Sequence, residues 1–224
     1  MAGSLPLVES DIRKRIDTDK VMSFGSYILW ILALTIFTLG IGTIVYVYII
    51  EYQLIDRRNQ HFSRQHSLFR NLLRTLREHG ESKGNQQALT TIDRAEAELN
   101  ETVIREGERN PWIWGVILPI LTLGIAGWYT RWFLTVDYRR HSVRQRELTD
   151  TMAEAIRLVT GKSASAVDES VLPDRNFWVY LLLTIVSLGL FGIYWQYVLF
   201  TDPNTHFARQ AFFEDQVVSY LRAA

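Results

Sequence analysis

One sequence unit occurs three times along the chain, and this repetition constrains the fold more than any other feature. Each copy contains an apolar run without a charged residue, at residues 21–50, 110–130 and 176–201. A Thr/Ser-Leu-Gly step lies within each run, at residues 38–40, 122–124 and 187–189. A His-x-x-Arg-Gln motif follows each run. The common order of these features predicts one structural unit that is used three times.

The repeated positions fall into two sets. The polar set is His61, Arg64, Gln65, His141, Arg144, Gln145, His206, Arg209 and Gln210. The glycine set is Gly40, Gly124, Gly127, Gly189 and Gly192. Apolar residues recur 7, 11 and 15 positions after each His, as Leu68, Leu72, Leu76, Leu148, Met152, Ile156, Phe213, Val217 and Leu221. This spacing predicts an amphipathic helix after each run, with these residues on one face.

The repeats divide the chain into six segments. They are a polar N-terminal segment (1–22), repeat 1 (23–78), a loop with an amphipathic linker helix (79–110), repeat 2 (111–160), a flexible linker (161–175) and repeat 3 (176–224). Asp202 precedes Pro203, a pair typical of a helix start, so we expect a new helix to begin there.

Charge and cysteine content narrow the class of protein. The three runs are 30, 21 and 26 residues long, and all 24 basic and 24 acidic residues lie outside them. Uncharged apolar runs of 18 or more residues match the hydrocarbon layer of a bilayer. The chain has no cysteine, which excludes disulfide scaffolds and cysteine-ligated metals. We therefore predict an all-α integral membrane protein.

Two geometries fit each run. A single transmembrane helix suits the lengths, and the glycine pairs would allow neighbouring helices to approach closely. Alternatively, the Leu-Gly step turns the chain inside the bilayer, and each run is a re-entrant helical hairpin. We favour the hairpin because it leaves all three amphipathic helices on one face of the membrane. The single span remains the alternative, because a turn at bilayer depth needs partners for its backbone groups.

The third copy carries a resemblance to a known family. Its residues 187–195 read Ser-Leu-Gly-Leu-Phe-Gly-Ile-Tyr-Trp, with weaker versions in the other runs. The chain resembles uncharacterised prokaryotic integral-membrane domains of unknown function, which carry such a segment before a polar helix. The first copy departs from the pattern after Gly40. The resemblance implies a membrane location and no particular activity.

The repeated histidines are the residues that point towards chemistry. Around a pseudo-threefold axis, His61, His141 and His206 would supply three imidazoles to one metal ion. Alternatively, each His and its neighbouring Arg lie at the membrane interface and contact lipid headgroups or cap a helix. We favour the interfacial role, because no carboxylate recurs beside all three histidines to orient them as ligands. The sequence thus predicts no metal, no cofactor and no catalytic residue, and it carries none of the common catalytic motifs.

The leading functional hypothesis is a non-enzymatic membrane scaffold that self-associates, holds a partner or shapes the bilayer. Its partners would be the lipid bilayer and a second copy or another membrane protein; without a basic tract, nucleic acid is not expected. We expect it in the cell membrane with its soluble helices in the cytoplasm, since Lys and Arg flank every run.

A small pore or transporter subunit is the alternative, with hydroxyl groups lining a path from Thr35, Thr38, Thr122, Thr184 and Ser187. Hydroxyls that bond back onto their own helices would favour the scaffold. A soluble enzyme on a membrane anchor is a third class, and it requires a folded domain outside the runs.

Overall fold

The computed structural model describes residues 4–164 and 171–222, and these residues are helical with no strand, which confirms the all-α class. The helices are α1 (Leu5–Arg13), α2 (Arg15–Thr18), α3 (Phe24–Phe37), α4 (Ile41–Ser82), α5 (Gln86–Arg105), α6 (Leu118–Leu121), α7 (Ile125–Thr160), α8 (Phe177–Val186) and α9 (Leu190–Arg222). A π-helical segment, Ile113–Ile117, directly precedes α6.

Three long helices, α4, α7 and α9, run parallel to one another around a common axis. Near their starts, Arg131 of α7 forms an ion pair with Glu51 of α4, with 2.9 Å between Nη2 and Oε1. Further along all three helices, the repeated histidines meet one another. Further still, Leu72, Met152 and Val217 share one apolar core. Because sequence numbers increase in the same direction in each helix, equivalent positions of the three repeats lie at one level.

Each uncharged run forms two antiparallel helical arms. The break falls at the Leu-Gly step, where φ is 51° at Leu39 and 88° at Gly40, with closely similar values in the other copies. In the first hairpin, Tyr27 of α3 stacks on Tyr46 of α4 with ring centroids 6.0 Å apart. One uninterrupted helix per run is therefore wrong. Among the described residues, none of the helices combines the length and the apolar character needed to cross a membrane.

The Thr/Ser of each step connects the two arms across the break. The Gly42 N–H donates to Thr38 Oγ1 at 2.7 Å, so a side chain replaces the helical carbonyl that the turn removes. The same bond recurs from Ala126 to Thr122 at 2.9 Å and from Phe191 to Ser187 at 2.8 Å. These bonds explain why a hydroxyl residue precedes Leu-Gly in all three copies.

Two large apolar cores hold the long helices together, with a smaller third cluster of Phe62, Tyr138, Leu172 and Phe207. All nine of the predicted apolar positions lie buried in the core of a helical bundle that also includes α1 and α5, which confirms the predicted stripe. The second core lies at the base of the hairpins and is centred on Trp195, whose indole N–H donates to Thr135 Oγ1 at 2.9 Å. Between the two cores lies a belt of buried polar side chains, the polar belt, which includes the repeated histidines and glutamines: His61, Gln65, His141, Gln145, His206 and Gln210.

The predicted helix start at Pro203 is wrong, because α9 continues through this residue. Asp202 does not cap a new helix. Its carboxylate accepts hydrogen bonds from Arg175 at 3.1 and 3.2 Å and thereby closes the base of the third hairpin. Asp137 has the corresponding role with Arg109 in the second hairpin, at 3.2 Å.

Two linkers separate the three hairpin-and-helix units. The predicted linker helix is present as α5, whereas the loop before it is shorter than expected because α4 continues to Ser82. Helix α7 ends at Thr160, and Gly161 forms the helix C-cap with φ of 73°. Residues 165–170 of the second linker lie outside the described residues.

Candidate functional site

The polar belt contains the three repeated histidines in a nearly symmetric triangle. Ring centroids are 5.3 Å apart for His61 and His141, and 5.4 Å for each of the other two pairs. One potential ligand nitrogen from each ring lies within 4.8 Å of the other two. The side chains are 0–2% exposed. The expected contact with lipid headgroups is therefore wrong for these histidines, because they face the common axis of α4, α7 and α9.

Carboxylates orient two of the rings from behind. His61 Nδ1 lies 3.0 Å from Asp19 Oδ1, and His141 Nδ1 lies 2.9 Å from Glu106 Oε2. An ionised carboxylate only accepts hydrogen bonds, so each Nδ1 carries the hydrogen and, in the neutral ring, each Nε2 carries a lone pair. No described residue gives Nε2 of His61 or His141 a hydrogen-bond partner.

The arginine of the repeated motif shares the same carboxylate. Arg64 contacts Asp19 with 2.6 Å between Nη2 and Oδ2, and Arg144 contacts Glu106 with 3.1 Å between Nη1 and Oε1. His and Arg three residues apart lie on one helix face, so one carboxylate bridges both. His206 and Arg209 also make side-chain interactions.

Burial and these contacts set the charge states of the site. Burial lowers the pKa of His61 to about 4 and outweighs the opposing effect of Asp19, so this ring is neutral at pH 7. Burial alone would raise the pKa of Asp19, but the hydrogen bond from His61 and the charge of Arg64 hold it well below its usual value. The pKa of Glu106 is likewise lowered against its burial, chiefly by His141. Both acids are therefore carboxylates over the physiological range.

The repeated glutamines form the next layer, one helical turn after the histidines. Gln65, Gln145 and Gln210 are at most 1% exposed. The Gln65 amide donates to Glu214 Oε1 at 2.7 Å. Within the described part of the chain, the side-chain oxygens of all three glutamines have no hydrogen-bond partner. The side-chain carbonyl oxygens of the glutamines therefore lie one helical turn from the imidazole nitrogens of the histidines.

The repeated glycines have two different roles. Gly40, Gly124 and Gly189 occupy the left-handed turn positions. At Gly192, an added Cβ would lie 3.3 Å from Thr184 Cγ2 in the opposite arm, so this glycine allows the two arms to approach. An added Cβ at Gly127 would meet no atom within 4 Å, so close packing does not explain that glycine.

Sequence reasoning missed Asp19 and Glu106 because neither lies inside the repeated motif. Each directly follows a helix that precedes an uncharged run, α2 in one case and α5 in the other. That shared placement is the signal that would have identified them. No carboxylate recurs beside the histidines in the motif itself, but two of the rings receive one from these preceding segments.

Comparison with known proteins matches the last hairpin and the helix that follows it to a family of unknown function. A family described as a domain of unknown function, DUF4234, matches residues 175–219, which include α8 and the larger part of α9. No curated protein and no solved structure matches the chain.

Proposed function

We propose that the protein is a non-enzymatic scaffold anchored in one leaflet of a membrane by its three helical hairpins, with the helical bundle outside. The observation that carries this proposal is the residue at each hairpin tip. Leu39, Leu123 and Leu188 are 94%, 95% and 95% exposed.

These leucines are unfavourable in two ways for a turn that faces water. Each has a positive φ, which costs a non-glycine residue about 1–2 kcal/mol. Each also presents an apolar side chain that packs against nothing in the protein. Asn or Gly would avoid both costs. Threefold occurrence of Leu at this position is best explained by an apolar medium around the tips.

The hairpins have a common direction and a limited depth. Since α4, α7 and α9 are parallel, all three tips lie at one end of the molecule. At 1.5 Å per residue, the 14 residues of α3 reach about 21 Å and the 10 residues of α8 about 15 Å. These lengths are shorter than the hydrocarbon layer of about 30 Å. Such arms enter a bilayer from one face and return to it.

Aromatic side chains also favour this orientation. Trp112 and Trp178 lie at the bases of the second and third hairpins and are 59% and 70% exposed. Trp rings prefer the headgroup level of a membrane. Because Lys and Arg flank every run, we propose the cytoplasmic face as the side that holds the bundle.

The hydroxyl groups support a scaffold over a pore. Thr35, Thr38, Thr122, Thr184 and Ser187 donate to carbonyl oxygens of their own arms. Leu54, Leu134 and Leu199 of the three long helices are buried together in the apolar core at the base of the hairpins. We therefore propose that lipid is the first partner, and that the bundle offers the surface for a second copy or another membrane protein.

Vesicle flotation with a tip variant tests the proposal. The triple variant Leu39→Asn, Leu123→Asn, Leu188→Asn keeps the turns, because Asn adopts positive φ more readily than Leu. Full burial of one Leu side chain stabilises by about 1.5–3 kcal/mol, so three should account for at least about 1,000-fold in partitioning into phosphatidylcholine vesicles. We expect the wild-type chain to float with the vesicles and a smaller fraction of the variant to float under the same conditions.

A matched variant controls for loss of apolar surface in general. Ile16, Ile104 and Phe212 are 81%, 82% and 70% exposed and lie outside the hairpins. Their triple replacement by Asn should leave flotation unchanged, and circular dichroism should show equal helix content in all three proteins. Equal flotation of the tip variant and the wild type would refute the proposed anchoring.

A further inference from the structure

We propose that His61, His141 and His206 together bind one divalent transition-metal ion, of the class that includes Zn²⁺, on the axis of the three long helices. This proposal does not depend on the membrane anchoring described above. It assigns to the polar belt a ligand that joins the three repeats at their centre.

The ring orientations favour a cation. Asp19 and Glu106 accept the Nδ1 hydrogens of His61 and His141, so the Nε2 atom of each ring is the one that can offer a lone pair to a ligand. Both Nε2 atoms are buried, with no hydrogen-bond partner among the described residues. A carboxylate behind a metal-binding His is the usual arrangement, because it fixes the tautomer and raises the basicity of the ring.

The ligand set selects the class of ion. Neutral imidazole nitrogens suit Zn²⁺, Ni²⁺, Co²⁺ and Cu²⁺, whereas Ca²⁺ and Mg²⁺ prefer oxygen ligands. Three nitrogens leave a fourth position on a tetrahedral ion. The free side-chain oxygens of Gln65, Gln145 and Gln210 lie one turn further along the same axis. A water molecule in the fourth position would donate its hydrogens to them.

The triangle has the right shape and needs a small contraction. Three nitrogens about 2.1 Å from a tetrahedral Zn²⁺ lie about 3.4 Å from one another. The potential ligand atoms here lie within 4.8 Å of one another. Each ring therefore has to move inwards by less than about 1 Å, a distance within the range of side-chain adjustment and small helix shifts.

Metal titration of the purified full-length protein tests the proposal. After treatment with a chelator and its removal, Zn²⁺ should bind with a stoichiometry of one ion per chain by calorimetry and elemental analysis. Zn²⁺ at 100 times its Kd should raise the ratio of folded to unfolded protein about 100-fold, seen as a higher Tm. Co²⁺ should give the visible absorption spectrum of a tetrahedral, nitrogen-ligated ion.

Variants identify the ligands. His61→Gln, His141→Gln and His206→Gln should each abolish stoichiometric binding. His79→Ala is the matched control, because His79 lies on α4 outside the triangle and its Nδ1 contacts the Thr75 carbonyl oxygen. It should bind one ion with unchanged Kd. Asp19→Asn tests the positioning residue, and we expect it to weaken Zn²⁺ binding about 10- to 100-fold while the Co²⁺ spectrum keeps its shape.

Two results would overturn the proposal. One is a folded wild-type protein that takes up no stoichiometric Zn²⁺, Co²⁺ or Ni²⁺. The other is equal uptake by the wild type and by the three histidine variants. Should a variant not fold, X-ray absorption spectroscopy of the wild-type complex decides the question. Three imidazole ligands support the proposal, and fewer than three refute it.

Discussion

Ala substitutions at Gly124 and Gly127 should change stability in opposite directions, although the two glycines are only three residues apart. Gly124 has φ of 91° and forms the turn of the second hairpin. Gly127 lies in the first turn of α7 with ordinary helical geometry. At neither position would an added Cβ meet an atom within 4 Å. The pair therefore isolates backbone conformation from packing.

The expected magnitudes follow from that difference. A left-handed Ala costs about 1–2 kcal/mol, partly offset by about 0.4–1 kcal/mol from the smaller entropy of the unfolded chain. Ala in place of a helical Gly contributes about 0.5–1 kcal/mol of stability. The two variants should therefore differ by about 1–2 kcal/mol. For a chain of this length, that difference corresponds to about 2–8 °C in Tm.

Thermal unfolding followed by circular dichroism, under identical detergent conditions, measures the effect. Gly124→Ala should have a Tm below that of the wild type, and Gly127→Ala should have a Tm at or above it. Equal stabilisation by both changes would mean that residues 110–130 form a continuous helix, and it would refute the turn at Gly124. Gly189→Ala should reproduce the loss in the third hairpin, where φ is 94°.

Two further predictions concern packing and pH. Gly115→Ala should destabilise by about 1–3 kcal/mol in chemical denaturation, because its Cβ would lie 2.9 Å from the backbone nitrogen of Tyr52. Burial alone would raise the pKa of Asp11. A hydrogen bond from Lys14 and two more from α4 outweigh this effect and lower the pKa below the usual value of 3.8. The contribution of the Asp11 carboxylate to the free energy of unfolding is therefore present above pH 3.8 and lost as the pH falls through the lowered pKa. Asp11→Asn should cost about 1–3 kcal/mol at pH 7 and progressively less as the pH falls below 3.8, whereas a loss that does not change with pH would contradict this assignment.

Much of the fold could be predicted because the repeats carry local signals. The Leu-Gly step identifies the turns, and the stripe of apolar residues identifies the bundle core. The same stripe also predicts that the histidines are buried. Positions 0, 4, 7, 11 and 15 from His61 all lie on one helix face. His61 and Gln65 thus share the face of Leu68, which predicts burial, and the interfacial interpretation overlooked this agreement.

Other features depended on tertiary context. Pro203 followed an Asp in a pattern typical of a helix start, yet α9 passes through it. Asp202 instead pairs with Arg175, a residue 27 positions earlier in the chain. Local sequence contains no information about that partner. The structure therefore departs here from the local sequence pattern, and Asp202 pairs with a distant residue instead of capping a helix.

The positions of Asp19 and Glu106 follow from the topology. Three parallel helices in one chain require a return path between successive members, and α5 together with the first arm of the second hairpin provides it between α4 and α7. Where this path passes from bundle to hairpin, it crosses the level of the histidines, and Glu106 lies at that crossing. Asp19 has the same place before the first hairpin. The sequence intervals from acid to His can therefore differ while the contact is kept, because the topology fixes the level at which the chain crosses.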